Sequence, residues 1–63
     1  MKLMIKGKEA TVGMEVTDFR GDKAKLLSWR EPHKPSSSGR VYVKWENGGT
    51  GESYPGVFGG EFV

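Results

Sequence analysis

The sequence predicts an all-β fold: one small barrel of five to six short antiparallel strands, with a single 3₁₀ turn near Pro55–Phe58. Three observations lead there. Apolar and polar residues alternate over short stretches, most clearly in Gly39-Arg-Val-Tyr-Val-Lys-Trp-Glu46, the period-two pattern of a strand. Turn-forming groups punctuate the chain, among them Arg20-Gly-Asp22, Asn47-Gly48 and Pro55-Gly56. No stretch keeps a helical apolar period, and ten glycines are spread along the 63 residues, which argues against any long helix. Such a chain forms one domain, residues 1–63. Closure is favoured because an open sheet would expose edges that so short a chain cannot cover.

The elements follow in order. Lys2 to Ile5 is β-prone, and Gly7-Lys8 turns it. Val12, Met14 and Val16 share one parity against Glu15 and Thr17, which places a strand from about Met14 to Phe19. Arg20 to Lys23 is a turn, since Gly accepts positive φ and Asp bonds nearby backbone. Lys23 to Arg30 is the next strand. Glu31-Pro-His-Lys-Pro-Ser-Ser-Ser38 is a loop, because two prolines remove donors and the serines have nothing to bury. Gly39 to Glu46 is the richest strand. Asn47-Gly48 marks a hairpin lengthened by Gly49, Thr50 and Gly51. Glu52 to Tyr54 is a short strand, Pro55 to Phe58 the 3₁₀ turn, and Glu61 to Val63 the last strand. Leu3 to Ile5 is an edge that pairs with Glu61 to Val63 or with a second copy, so the chain is expected as a monomer or a weak homodimer.

Composition narrows the chemistry. A domain this small buries roughly 60% of the surface its unfolded chain exposes, and its core leaves a net of roughly 3–5 kcal/mol. There is no cysteine and one histidine, which removes disulfides, thiolate sites and most zinc arrangements. The longest apolar run is Leu3-Met4-Ile5, against the ~20 residues of a membrane span, and the N-terminus lacks the apolar stretch of a signal peptide. The expected setting is the cytoplasm, with no membrane contact and no cofactor. The formal charge of +2 is unevenly spread. Residues 1–19 are neutral, residues 20–44 carry seven cations against two carboxylates, and residues 45–63 carry only Glu46, Glu52 and Glu61.

Strand alternation assigns the faces. Unpaired charges stay in water because burying one costs several kcal/mol. The expected core is therefore Val16, Ala24, Leu26, Val41, Val43, Trp45, Val57 and Phe58. The opposite face of the 23–30/39–46 hairpin presents Lys23, Lys25, Leu27, Trp29, Arg40, Tyr42 and Lys44. This basic face with two aromatics is the candidate binding site. Lys and Arg neutralise phosphates, and bases stack on flat rings for about 1–3 kcal/mol each. A structural account stands beside it: Trp29 and Tyr42 cover the barrel end while the lysines keep it soluble. Leu27 points instead to a protein contact.

The other motifs read as local structure. Arg20-Gly-Asp22 spells an integrin-binding tripeptide and is a hairpin turn. Gly48-Gly-Thr-Gly-Glu-Ser53 has no lysine before its hydroxyl residue and no helix after it, so it is no phosphate loop. His33 and Ser36 to Ser38 have no oriented base or acid partner, and the carboxylates form no acid–base pair. No catalytic residue and no metal ligand is assigned. Asp18 is expected to bond the turn amides near Gly21.

The run Val43-Lys-Trp-Glu-Asn-Gly48, with Tyr54 downstream, resembles the end of SH3-like barrels of the Tudor, KOW and MIB types, which carry Val-x-Trp-x-x-Gly and then a Tyr. The resemblance covers residues 12–63. It implies an SH3-like barrel and a non-catalytic binding module, of a style found in proteins encoded by phages and bacteria. The chain lacks the acidic loop and the Ala-Leu-Tyr-Asp-Tyr-type segment of peptide-binding SH3 domains, and the full aromatic cage of methyl-lysine readers. The expected function is nucleic-acid association through Lys23, Lys25, Trp29, Arg40, Tyr42 and Lys44, with the 31–38 loop as a flank. The alternative is a protein-interaction module, a phage-encoded modulator of a host protein.

Overall fold

The structure, a computed structural model, describes residues 1–33 and 39–63. Most of the expected 31–38 loop, residues 34–38, lies outside the described residues. Among the described residues seven strands form: β1 (Leu3–Ile5), β2 (Lys8–Glu9), β3 (Glu15–Thr17), β4 (Lys23–Arg30), β5 (Arg40–Trp45), β6 (Thr50–Ser53) and β7 (Gly60–Phe62), with a 3₁₀ turn at Pro55–Phe58 before β7. All pairing is antiparallel. One sheet has the order β2-β1-β7, the other β3-β4-β5-β6. Among the described residues no ladder joins the two, so the fold is two packed sheets, not one hydrogen-bonded cylinder.

The extra strand is β2. Lys6 and Gly7 both have positive φ, 50° and 82°, and they connect Ile5 to its cross-strand partner Lys8. Such a two-residue turn matches the twist of its strands. Lys at its first position hides the signal, because Asn, Asp or Gly normally marks it. At the β5–β6 hairpin, the Gly48 amide bonds the Trp45 carbonyl at 3.0 Å and the Gly49 amide bonds Asn47 Oδ1 at 3.2 Å. This turn is shorter than the sequence implies, and Thr50 and Gly51 belong to β6.

Both sheets and the 3₁₀ turn feed one core. Leu3, Ile5, Ala10, Val16, Ala24, Leu26, Val41, Val43 and Phe58 are buried, with Trp45, Trp29, Val57, Met14 and Phe62 packed against them. The Trp45 and Phe58 ring centroids lie 5.6 Å apart, tilted by 36°, within the separation at which aromatic pairs attract. The chain ends close the smaller sheet: β1 pairs β7 within the chain, and Lys2 and Val63 exchange backbone hydrogen bonds of 2.8 Å.

Alternation along β4 breaks at Leu27. Leu26 pairs Val43 and Ser28 pairs Tyr42, so Leu27 is the extra residue of a β-bulge. A bulge shifts the side-chain parity of everything after it. Trp29 therefore faces Val41 and packs on the core, and Arg30 faces Arg40 on the outside. This corrects the placement of Trp29 on the outer face.

Two local devices hold the frame. Asp18, only 6% exposed, accepts the backbone N–H of Arg20 and of Asp22, each at 2.9 Å, on Oδ1. Its Oδ2 lies 3.6 Å from the Arg20 guanidinium. The expected role of Asp18 as a turn anchor is what the structure contains. Gly39, at the start of β5, has φ 74°, and a Cβ there would lie 2.6 Å from the Phe62 ring and 2.7 Å from the Arg30 carbonyl. Phe62 on β7 thus reaches across to the β4–β5 end of the other sheet.

Two variants test these devices. Gly39→Ala meets both a disfavoured φ and a backbone oxygen that cannot move aside, and is expected to cost about 2 kcal/mol or more in a urea titration. Asp18→Ala leaves two turn amides without their acceptor and is expected to cost about 1–3 kcal/mol. Asp18→Asn, which keeps an acceptor oxygen, is expected to cost less.

Candidate nucleic-acid interface

The outer face of the β3-β4-β5-β6 sheet is built in rows, because directly paired residues share a face with Cβ atoms about 4.5–5.5 Å apart. One row is Glu15, Lys25, Lys44 and Thr50. The next is Ser28, Tyr42 and Glu52. Arg30 and Arg40 form the third, and Tyr54 lies beyond the end of β6 beside Arg40. Lys23 pairs Thr17 at the opposite end.

Of the residues expected from the sequence, Lys23, Lys25, Arg40, Tyr42 and Lys44 share this face, and Trp29 does not. The five are not equivalent. Lys23 has Glu15 Oε1 at 3.9 Å, and Asp22 and Glu46 line the same shallow depression. Arg40 is held from three sides: Nε donates to Glu52 Oε1 at 3.0 Å, Nη1 donates to the Gly39 carbonyl at 2.8 Å, and the guanidinium lies 4.3 Å from the centre of the Tyr54 ring. Tyr42 is half-buried between Ser28 and Glu52.

Lys25 and Lys44 stand directly opposite each other, both exposed. Among the described residues neither forms an ion pair, and Arg30 forms none either. Like charges in register destabilise a sheet by a few tenths to about 1 kcal/mol. This face carries Lys23, Lys25, Arg30, Arg40 and Lys44 against Glu15 and Glu52, a surplus of three positive charges.

Sequence reasoning did not place Arg30, Glu52 or Tyr54 on this face; Glu52 is expected only as part of an acidic protein-contact end with Glu46 and Glu61. Arg30 was hidden by the bulge. Tyr54 was legible, since it keeps the parity of Glu52, which faces Tyr42 across the ladder. The Arg40–Glu52 pair lines two depressions. One, of about 380 Å³, also has Tyr54, Ser53 and Val57 in its walls. The other, of about 280 Å³, adds Arg30, Glu31, His33, Gly39 and Tyr42. Among the described residues no three His, Asp or Glu side chains gather as a metal-binding group. No helix among them is long and apolar enough to cross a membrane.

No family model matches the chain, and no curated protein or solved structure is significantly similar to it.

The lysine pair has a consequence for stability. Lys44→Glu turns a repulsive cross-strand pair into an attractive one and is expected to stabilise the fold by about 0.5 kcal/mol. In a domain of this size that raises the thermal midpoint by about 2–4 °C, and the gain should shrink at high salt.

Proposed function

We propose that the chain is a non-catalytic, SH3-like binding module that associates with nucleic acid through the outer face of β4 and β5. The carrying observation is the exposed Lys25–Lys44 pair, in register, beside Tyr42 and Arg30, and held in no ion pair among the described residues, since Glu15 opposite Lys25 reaches Lys23 instead. A fold this small gains nothing from that repulsion, and a polyanion relieves it. Phosphates contact Lys25, Lys44 and Arg30 and release counterions as they do so. Tyr42 supplies an aromatic surface, and Arg40 a preset guanidinium. The SH3-like assignment draws on the element order, with a 3₁₀ turn between the last two strands. A cysteine-free sequence suits a reducing compartment such as the cytoplasm.

Anisotropy titrations of a labelled oligonucleotide test the proposal. For about three phosphate contacts on a single strand, affinity is expected to fall about 20-fold between ~50 and ~200 mM salt. Lys44→Glu should weaken binding while stabilising the fold, a combination that a damaged protein does not produce. Salt-independent binding, or full binding by Lys44→Glu, overturns the proposal.

A second reading rests on a different surface. The Gly13 amide bonds the Leu26 carbonyl at 2.6 Å, so the segment around Val12 runs beside the bulge. Val12 and Leu27 are exposed there, at 72% and 42%. This apolar spot favours a protein partner. Stoichiometric protein captured from nuclease-treated extract supports that reading, and its loss on Leu27→Lys ties it to the spot.

A further inference from the structure

Arg40 is the best-organised side chain on this face, and what surrounds it points to one form of nucleic acid. Its guanidinium keeps five N–H donors in a rigid fork. One is used by Glu52 and one by the Gly39 carbonyl, and one face of the plane lies against Tyr54. The Arg40–Glu52 pair therefore forms a ridge between the two depressions, with Tyr54 in the wall of one and Tyr42 with His33 in the wall of the other.

Charge is divided across the sheet in the same direction. β4 contributes Lys23, Lys25 and Arg30, β5 contributes Arg40, Tyr42 and Lys44, and β6 with its continuation contributes Glu52 and Tyr54. A backbone phosphate is attracted to the β4 side and repelled by the Glu52 carboxylate on the β6 side. A base edge that carries an amino group is suited to Glu52, which accepts its N–H. Tyr54, 54% exposed, leaves ring surface free for stacking.

We propose, building on the nucleic-acid reading, that this face is a site for single-stranded nucleic acid. The sugar-phosphate backbone runs along the β4–β5 hairpin, and two adjacent bases are splayed to either side of the Arg40–Glu52 ridge, one on Tyr54 and one beside Tyr42. A duplex can use the lysines but cannot stack on Tyr54 or Tyr42. Its bases are stacked on one another and offer edges only, whereas stacking on an aromatic ring needs a base face. Among the described residues the face is a four-stranded sheet with no recognition helix to enter a groove.

The test uses the full chain with 12-nucleotide single strands, one DNA and one RNA, and the corresponding DNA duplex, at ~100 mM salt. The expected result is at least tenfold tighter binding of one of the single strands than of the duplex. Tyr54→Ala is expected to weaken single-strand binding at least fivefold and to leave duplex binding and its salt slope unchanged. Lys25→Ala should weaken both and lower the salt slope by about one phosphate contact. Circular dichroism of each variant separates lost contacts from lost folding, and Tyr54→Phe, which keeps the ring, should bind like the parent. Equal binding of duplex and single strands with no effect of Tyr54→Ala overturns the single-strand site while leaving the nucleic-acid reading in place. Binding of neither overturns both.

Discussion

The bulge at Leu27 is the constraint on which both faces of the larger sheet depend. Without it, β4 would alternate strictly from Lys23 to Arg30, and Trp29 would project to the same side as Lys25. The extra residue resets the register between Leu26–Val43 and Ser28–Tyr42. Its cost is one unpaired position, occupied by a leucine left 42% exposed. Its effect is to bring a partly buried tryptophan against the core, where the apolar area removed from water stabilises the fold. The same shift moves Arg30 outward to face Arg40. One local irregularity thus adds core and adds positive charge to the face, and neither follows from simple alternation.

A chain of 63 residues with no disulfide has few other means of holding two sheets together. Here the work is divided among contacts that join distant parts of the chain. β7 pairs β1, so the two ends lock each other. Phe62 lies against Gly39, and the tilted Trp45–Phe58 contact ties the end of β5 to the 3₁₀ turn. Asp18 replaces missing backbone partners in the β3–β4 turn with one carboxylate oxygen. Apart from Gly39, which also lines one depression of the outer face, these contacts involve none of the residues that the site uses. The frame therefore places few demands on what that face carries.

What was legible in the sequence follows from how local each signal is. Val41, Val43 and Trp45 alternate with Arg40, Tyr42 and Lys44, and no other arrangement keeps three charged or polar groups in water, so β5 and its inward face could be read directly. Pro55-Gly-Val-Phe58 declared its 3₁₀ turn because Pro presets the first φ. Asp18 was readable as a turn anchor because Asx side chains reach amides two to four residues on. Leu3 and Ile5 were not recognised as core, since their burial depends on β7, more than fifty residues away. The Lys6-Gly7 turn was hidden by an atypical first residue, and Trp29 was misplaced because a bulge has no local sequence mark in Lys-Ala-Lys-Leu-Leu-Ser-Trp-Arg. The candidate site was legible to the extent that it rests on alternation. Tyr54 and Glu52 joined it only once the β5–β6 register was known.

The outer face contains two regimes of electrostatics. Around Arg40 the groups are organised: carboxylate, carbonyl and ring each take a different part of one guanidinium, although Arg30 stands opposite it. Lys25 and Lys44 form no ion pair among the described residues, and the two exposed lysines oppose each other across a ladder with Glu15 beyond Lys25. In a domain of a size whose core rarely supplies more than roughly 3–5 kcal/mol, even a few tenths spent on repulsion is a measurable fraction. Substitution by any neutral residue would remove that cost, because neither lysine supports the core. A solubility role requires charge but not two like charges in register. The polyanion proposed above would use that juxtaposition, since two lysines on paired strands can share one phosphate. The organised half of the face is suited to a group that must be oriented, and the repulsive half to one that need only be negative. A base and its phosphate differ in that way.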